Sequence, residues 1–150
     1  MEIISSILDR FKSKNKSDIV STASESFEDK SILSICILMI EVSKSDDNFD
    51  AIEEKEILSI LQNKYKLNQK QTDVLIEIAN QKNEEMISLH EWTSVINNTY
   101  SYDERVGILK SLWDVAHADN QIDKYEDYTI RKIADLIYVK HSDFIKAKHE

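Results

Sequence analysis

The stretch Val115–Glu126, "VAHADNQIDKYE", decides how this chain is built. One apolar helical pattern ends in it and another begins, and the acidic and amide side chains between them suit metal ligands, a partner surface or helix caps. The same arrangement occurs upstream as Val42–Glu53, "VSKSDDNFDAIE". A shift of 73 positions carries Val42 onto Val115, Asp46 onto Asp119, Asp50 onto Asp123 and Glu53 onto Glu126. It also carries Ile57 and Ile60 onto Ile130 and Ile133, and Glu41 onto Asp114. Apolar and acidic positions coincide in one register, which predicts a duplicated unit of buried helix, acidic loop and helix.

Outward from the loops the pattern is helical. Phe27–Val42 is apolar nearly all round, as a central buried helix must be. A helix over about Ile52–Tyr65 follows, then one capped by Asn68 that carries Val74, Leu75, Ile78 and Ala79. Ser88 with Glu91 and Ser101 with Glu104 each have the Ser-x-x-Glu spacing of a capping box, so helices are expected near Leu89 and Tyr102. The latter carries Val106, Leu109, Trp113 and Ala116 on one stripe and Ile108, Leu112 and Val115 on the next, a second buried helix. After the second loop, Tyr125, Ile130, Ile133, Ala134 and Ile137 form another apolar set, and "HSDFIKAKHE" adds a short capped turn. The expectation is an all-α bundle of about seven helices with an internal pseudo-two-fold.

Composition agrees. Among 150 residues there is one Gly and no Pro, although hairpins and sharp corners normally require them. The length allows one domain with a real core. A net charge of -9 argues against nucleic acid, whose phosphates need a basic face, and favours cations or basic protein surfaces as partners. The lone Cys36, inside "ICILMI", reads as a small buried hydrophobe. No secretory leader is visible at the start, and the most apolar stretch, Ile32–Val42, is about half the length of a membrane span; a cytoplasmic protein is expected.

Residues 1–24 read as an amphipathic segment and polar linker, leaving 25–150 as the domain. Ile3, Ile4, Ile7, Leu8 and Phe11 recur at helical spacing, and Arg10, Lys12, Lys14 and Lys16 follow. Such a stripe either docks on the main domain or, over residues 3–16, makes a peripheral contact with the inner face of an anionic membrane.

"LWDVAHADNQIDKYEDYTIRKIADLIYVKHSDF", with the weaker "IEVSKSDDNFDAIEEKEI" upstream, resembles the TerB family of tellurite-resistance proteins and, more distantly, the N-terminal domain of membrane-anchored DjlA co-chaperones. The resemblance covers roughly residues 27–147. It rests on a loop of A-D-G-x-h-D-x-x-E type, with h apolar, here Ala118, Asp119, Asn120, Gln121, Ile122, Asp123 and Glu126, and on the tail Ser142, Asp143 and Phe144. It implies a pseudo-symmetric bundle of about seven helices with an acidic face, no catalytic activity, a link to tellurite and chemical stress, and binding of divalent metal or of other, membrane-associated resistance proteins. The loop Gly is Asp47 in the first copy and Asn120 in the second, types that tolerate a left-handed backbone. Ser45 stands for Ala in the first copy, and Lys44 stands opposite His117.

Chemically, Asp46, Asp50 and Glu53 in one loop and Asp119, Asp123 and Glu126 in the other offer three carboxylates each within eight residues, suited to a hard divalent cation, calcium first. The spacing is not that of an EF-hand. Asp50 with Glu53 and Asp123 with Glu126 also fit helix caps, whereas Asp46 and Asp119 follow a helix end, where negative charge is mildly unfavourable, and are the better ligand candidates. The third reading is a docking face for a basic partner, in which Glu41, Asp47, Asp114 and Asn120 take part. The window 41–54 holds six acidic residues against one Lys and 114–127 holds five against one. Catalysis finds little support: His90, His117, His141 and His149 lack the paired spacing of a helical zinc site, and no glycine-rich phosphate loop is present. His117, at a helix end, suits capping of carbonyls, and Trp92 and Trp113 suit the core.

Overall fold

The computed structural model describes residues 27–44 and 51–149. They form seven helices and, among the described residues, no strand: α1 Phe27–Lys44, α2 Ala51–Asn63, α3 Gln69–Glu85, α4 His90–Thr99, α5 Tyr102–His117, α6 Lys124–Leu136 and α7 His141–His149. The expected all-α bundle of seven helices is present. The amphipathic segment 3–16 and the linker after it lie outside the described residues.

Every residue from Leu33 to Ile40 is buried. A helix apolar on all sides is stable only when neighbours cover each face, and α1 packs against α2, α3, α4, α5 and α6. The second all-round helix, α5, lies against α1 and packs on α2, α6 and α7. Cys36, Trp92 and Trp113 all belong to the core. Burial raises the Cys36 thiol far above its ordinary pKa, so it is held neutral and unreactive.

The duplication is structural. The 73-residue shift carries both bounds of α2 onto both bounds of α6. The buried set of α2, Glu53, Ile57, Ile60 and Leu61, falls position for position on that of α6, Glu126, Ile130, Ile133 and Ala134. All seven buried residues of α5, from Ile108 to Ala116, fall on buried residues of α1. The repeat also extends one helix further than the loops suggested, because α3 carried forward by the same shift begins within one residue of α7. The two units are thus α1–α2–α3 and α5–α6–α7, with α4 between them and fastened to the second by Asn97 Nδ2 donating to Leu136 O at 2.9 Å.

Helix starts follow local chemistry. Asn68 and Gln71 form a reciprocal capping box, as do Ser101 and Glu104. The expected Ser88–Glu91 box does not form. Buried Leu89 takes the cap position with helical backbone angles, α4 begins at His90, and Leu89 O already accepts from Trp92 N and Thr93 N. Core burial of Leu89 places Ser88 one residue too early to cap. Accordingly, Asn68→Ala should lower stability by about 1 kcal/mol, whereas Ser88→Ala should change it by less than about 0.5 kcal/mol; paired urea titrations check both. Two further expectations are corrected. The tail is a nine-residue helix rather than a turn. Tyr125, expected on the apolar stripe of α6, is 52% exposed, because the buried face runs through Glu126, Ile130, Ile133 and Ala134 and the residue before Glu126 turns away from it.

Candidate functional site

The helix ends that flank the two acidic windows lie at one end of the bundle. Lys64, just past α2, donates to Gly107 O at 3.0 Å and to Ser111 Oγ at 2.8 Å, in the first two-thirds of α5. Glu56, in the first half of α2, instead has its pKa raised by partial burial and by the charge of Asp114, near the end of α5. These two points fix α2 antiparallel to α5. The start of α2, where the first loop arrives, therefore points the same way as the end of α5, where the second loop departs. Two more helix ends meet there. Asn83, near the end of α3, donates to Glu41 Oε2 at 2.8 Å in the last turns of α1, and His117 Nε2 lies 3.2 Å from Lys148 O at the end of α7.

The second loop is held by its own side chains. Ala118 N and Asn120 N bond back to Val115 O and His117 O, closing α5. Asn120 stands at φ 64°, the left-handed conformation for which the family pattern places Gly. Asp119 Oδ1 accepts from Gln121 N at 3.0 Å, an Asx turn that bends the chain toward α6. Asp123 caps α6 through Tyr125 N at 2.7 Å, and Glu126 Oε1 returns to Asp123 N at 3.2 Å, completing the box. Each of the three candidate ligands thus commits an oxygen to a backbone amide. Glu126 is only 2% exposed and its counterpart Glu53 only 1%, so both are set into the interior. Among the described residues, no three His, Cys, Asp or Glu side chains converge as a metal site requires.

The remaining candidates separate. Asp114 is exposed on α5, while Glu41 is half-buried and bonded to Asn83. Asp46, Asp47 and Asp50 lie outside the described residues. Lys64 balances the Asp114 edge. Burial lowers its pKa and Lys110 adds to this, while Asp114 opposes it.

Side chains that sequence reasoning missed surround the second loop. Asp127, in the first turn of α6, pairs with Arg131 Nε at 2.5 Å and Lys148 Nζ at 2.9 Å. Lys148 Nζ lies 5.2 Å from the centre of the Trp113 ring, and Arg131 lies 4.9 Å from that of Phe144, whose ring packs 5.4 Å from Trp113. The Asp127–Arg131 contact is an i, i+4 pair readable from spacing; the contacts of α7 are tertiary and leave no such mark. Tyr125 and Tyr128, in the first half of α6, are exposed.

Partial burial of Asp127 opposes its ionisation, yet the hydrogen bonds and charges of Lys148 and Arg131 outweigh it and hold the carboxyl below its ordinary pKa. A group depressed on folding stabilises above its unfolded pKa, and that stability is lost as pH falls through the folded value. Asp127→Asn should therefore lower the melting temperature at neutral pH, with the gap to wild type narrowing as pH falls below the ordinary carboxylate range, measured by melts across pH.

No described helix is long and apolar enough to cross a membrane. No curated protein and no solved structure matches the chain. The family model for tellurite resistance protein TerB matches residues 33–149, from the core of α1 to the end of α7, and so takes in both loops and both repeat units. With its seven helices, duplicated interior and left-handed Asn120 at the loop position of the family glycine, this chain belongs to the TerB family of tellurite-resistance proteins.

Proposed function

We propose that the chain is a non-catalytic binding module, associated with tellurite or chemical stress, in which the two acidic loops receive a cationic ligand, foremost a basic surface on a partner protein. The observation that supports this reading is that the helix ends flanking the two acidic sequence windows, the start of α2 and the end of α5, lie at one end of the bundle. Opposite charge spread over such a face steers a basic surface without fixed coordination geometry. The Asp119, Asp123 and Glu126 oxygens committed to backbone amides favour docking over tight chelation.

A divalent ion, calcium first, is the second reading. The same placement supports it, since an ion drawing carboxylates from both loops would gather the several oxygens that calcium takes. Melting chelator-stripped protein with hexalysine, calcium, magnesium, manganese or zinc separates the two. At low salt, hexalysine should raise the melting temperature of wild type by a few degrees and leave an Asp46→Asn, Asp119→Asn variant unchanged. If an ion does this and hexalysine does not, the metal reading replaces the docking one. If nothing shifts wild type, both fall.

A further inference from the structure

The two repeat units differ most in their third helix. α3 has seventeen residues, seven of them buried, whereas α7 has nine and buries only Phe144 and Ala147. A nine-residue helix is marginal by itself, so α7 persists through what holds it down. Beside the buried Phe144 and Ala147, its restraints are polar and lie at both ends. Tyr102 bonds to Asp143, and Lys140 N donates to Tyr102 Oη at 3.1 Å. At the other end Lys148 contributes its ammonium to Asp127, its stem and charge to the Trp113 face and its carbonyl to His117.

The second set of restraints straddles the second acidic loop. His117 is the last residue before the loop, and Asp127 lies in the first turn after it. Asp127 and Lys148 retain side-chain exposures of 22% and 23%, so their pair is within reach of solvent and solutes. A cation arriving at the loop meets in Asp127 a carboxylate with two partners, Arg131 on α6 itself and Lys148 on α7, the helix with the fewest buried residues.

We propose that α7 is a releasable strap: a cationic ligand docking at the second loop takes Asp127 from Lys148, frees α7, and uncovers the Trp113 face of α5 as a second, aromatic contact for the same partner. The inference rests on the acidic-loop reading for its ligand. It adds that docking is coupled to opening of one helix. Trp113 is only 1% exposed while α7 is down, so the aromatic contact exists only after release. The counterpart of Trp113 in the first unit is the aliphatic Ile40, and the longer α3 covers that unit, so release is confined to the second.

Hydrogen exchange of the full chain, resolved by peptide, tests this with hexalysine as probe. In Asp127→Asn and in Lys148→Gln, amides of 141–149 should exchange roughly tenfold faster while those of α1 and α5 keep their rates, as expected for local rather than global opening. In wild type, hexalysine should slow exchange in 115–126 and speed it in 141–149, and in Lys148→Gln it should slow the loop without further change in α7. If 141–149 exchanges in step with α5 in every variant, α7 is part of the core and the strap is refuted. Loop protection with α7 unmoved leaves the acidic-loop reading standing and refutes the strap. No loop protection at low salt overturns both.

Discussion

Trp113→Ala should lower the unfolding free energy by about 3–5 kcal/mol, the largest single loss expected in this domain. The indole is buried at the last turns of α5, between the ring of Phe144, the ammonium of Lys148 and the imidazole of His117. Truncation removes the transfer free energy of the ring and leaves a cavity between α5 and α7 that the surrounding side chains only partly close. It also removes the surface on which α7 lies. Urea unfolding followed by circular dichroism checks the magnitude. A loss below about 1.5 kcal/mol would mean that α7 and the end of α5 contribute little to the fold.

The second large effect tests the duplication. Ile57 and Ile130 occupy equivalent positions in α2 and α6, and both are fully buried. Ile57→Ala and Ile130→Ala should each cost about 2–5 kcal/mol. Because each site packs on the paired central helices α1 and α5 from its own side, the two losses should agree within about 1 kcal/mol. A loss confined to one would make the repeat a matter of sequence pattern without a shared packing role. Denaturant midpoints of the two single variants decide it.

Much of this architecture is legible in the chain. The coincidence of Val42 with Val115 and of Ile57 and Ile60 with Ile130 and Ile133 fixes the register of two helical units, because a helix repeats its interior face every three to four residues and any other shift misaligns the apolar positions. The caps at Asn68, Ser101 and Asp123 follow from side chains that satisfy backbone amides locally. Ser88 failed the same rule because burial of Leu89, a tertiary demand, moved the helix start by one residue. Tyr125 misled for a different reason: it stands five residues before Ile130, which is not a helical repeat, and Glu126, at four, takes the buried face instead.

At the site, the left-handed turn at Asn120 was readable from the glycine that the family pattern places there together with a residue type that tolerates that backbone. The capping roles of Asp123 and Glu126 were readable as one of two alternatives. The Asp127–Lys148–Trp113 arrangement was not, because it joins residues brought together only when α7 folds back on α5 and α6. Aromatic and cationic side chains far apart in sequence carry no periodic signal.

Equilibrium binding of fluorescently labelled hexalysine, measured by anisotropy from low to high salt, tests most directly whether the acidic loops are a binding surface. Wild type should bind at low salt and weaken steadily as salt screens the charges. Asp114→Asn combined with Asp119→Asn should lose most of that affinity, while Asp135→Asn, at the far end of α6, should behave as wild type. Equal affinity in all three proteins, or no binding by wild type even at low salt, would contradict the account.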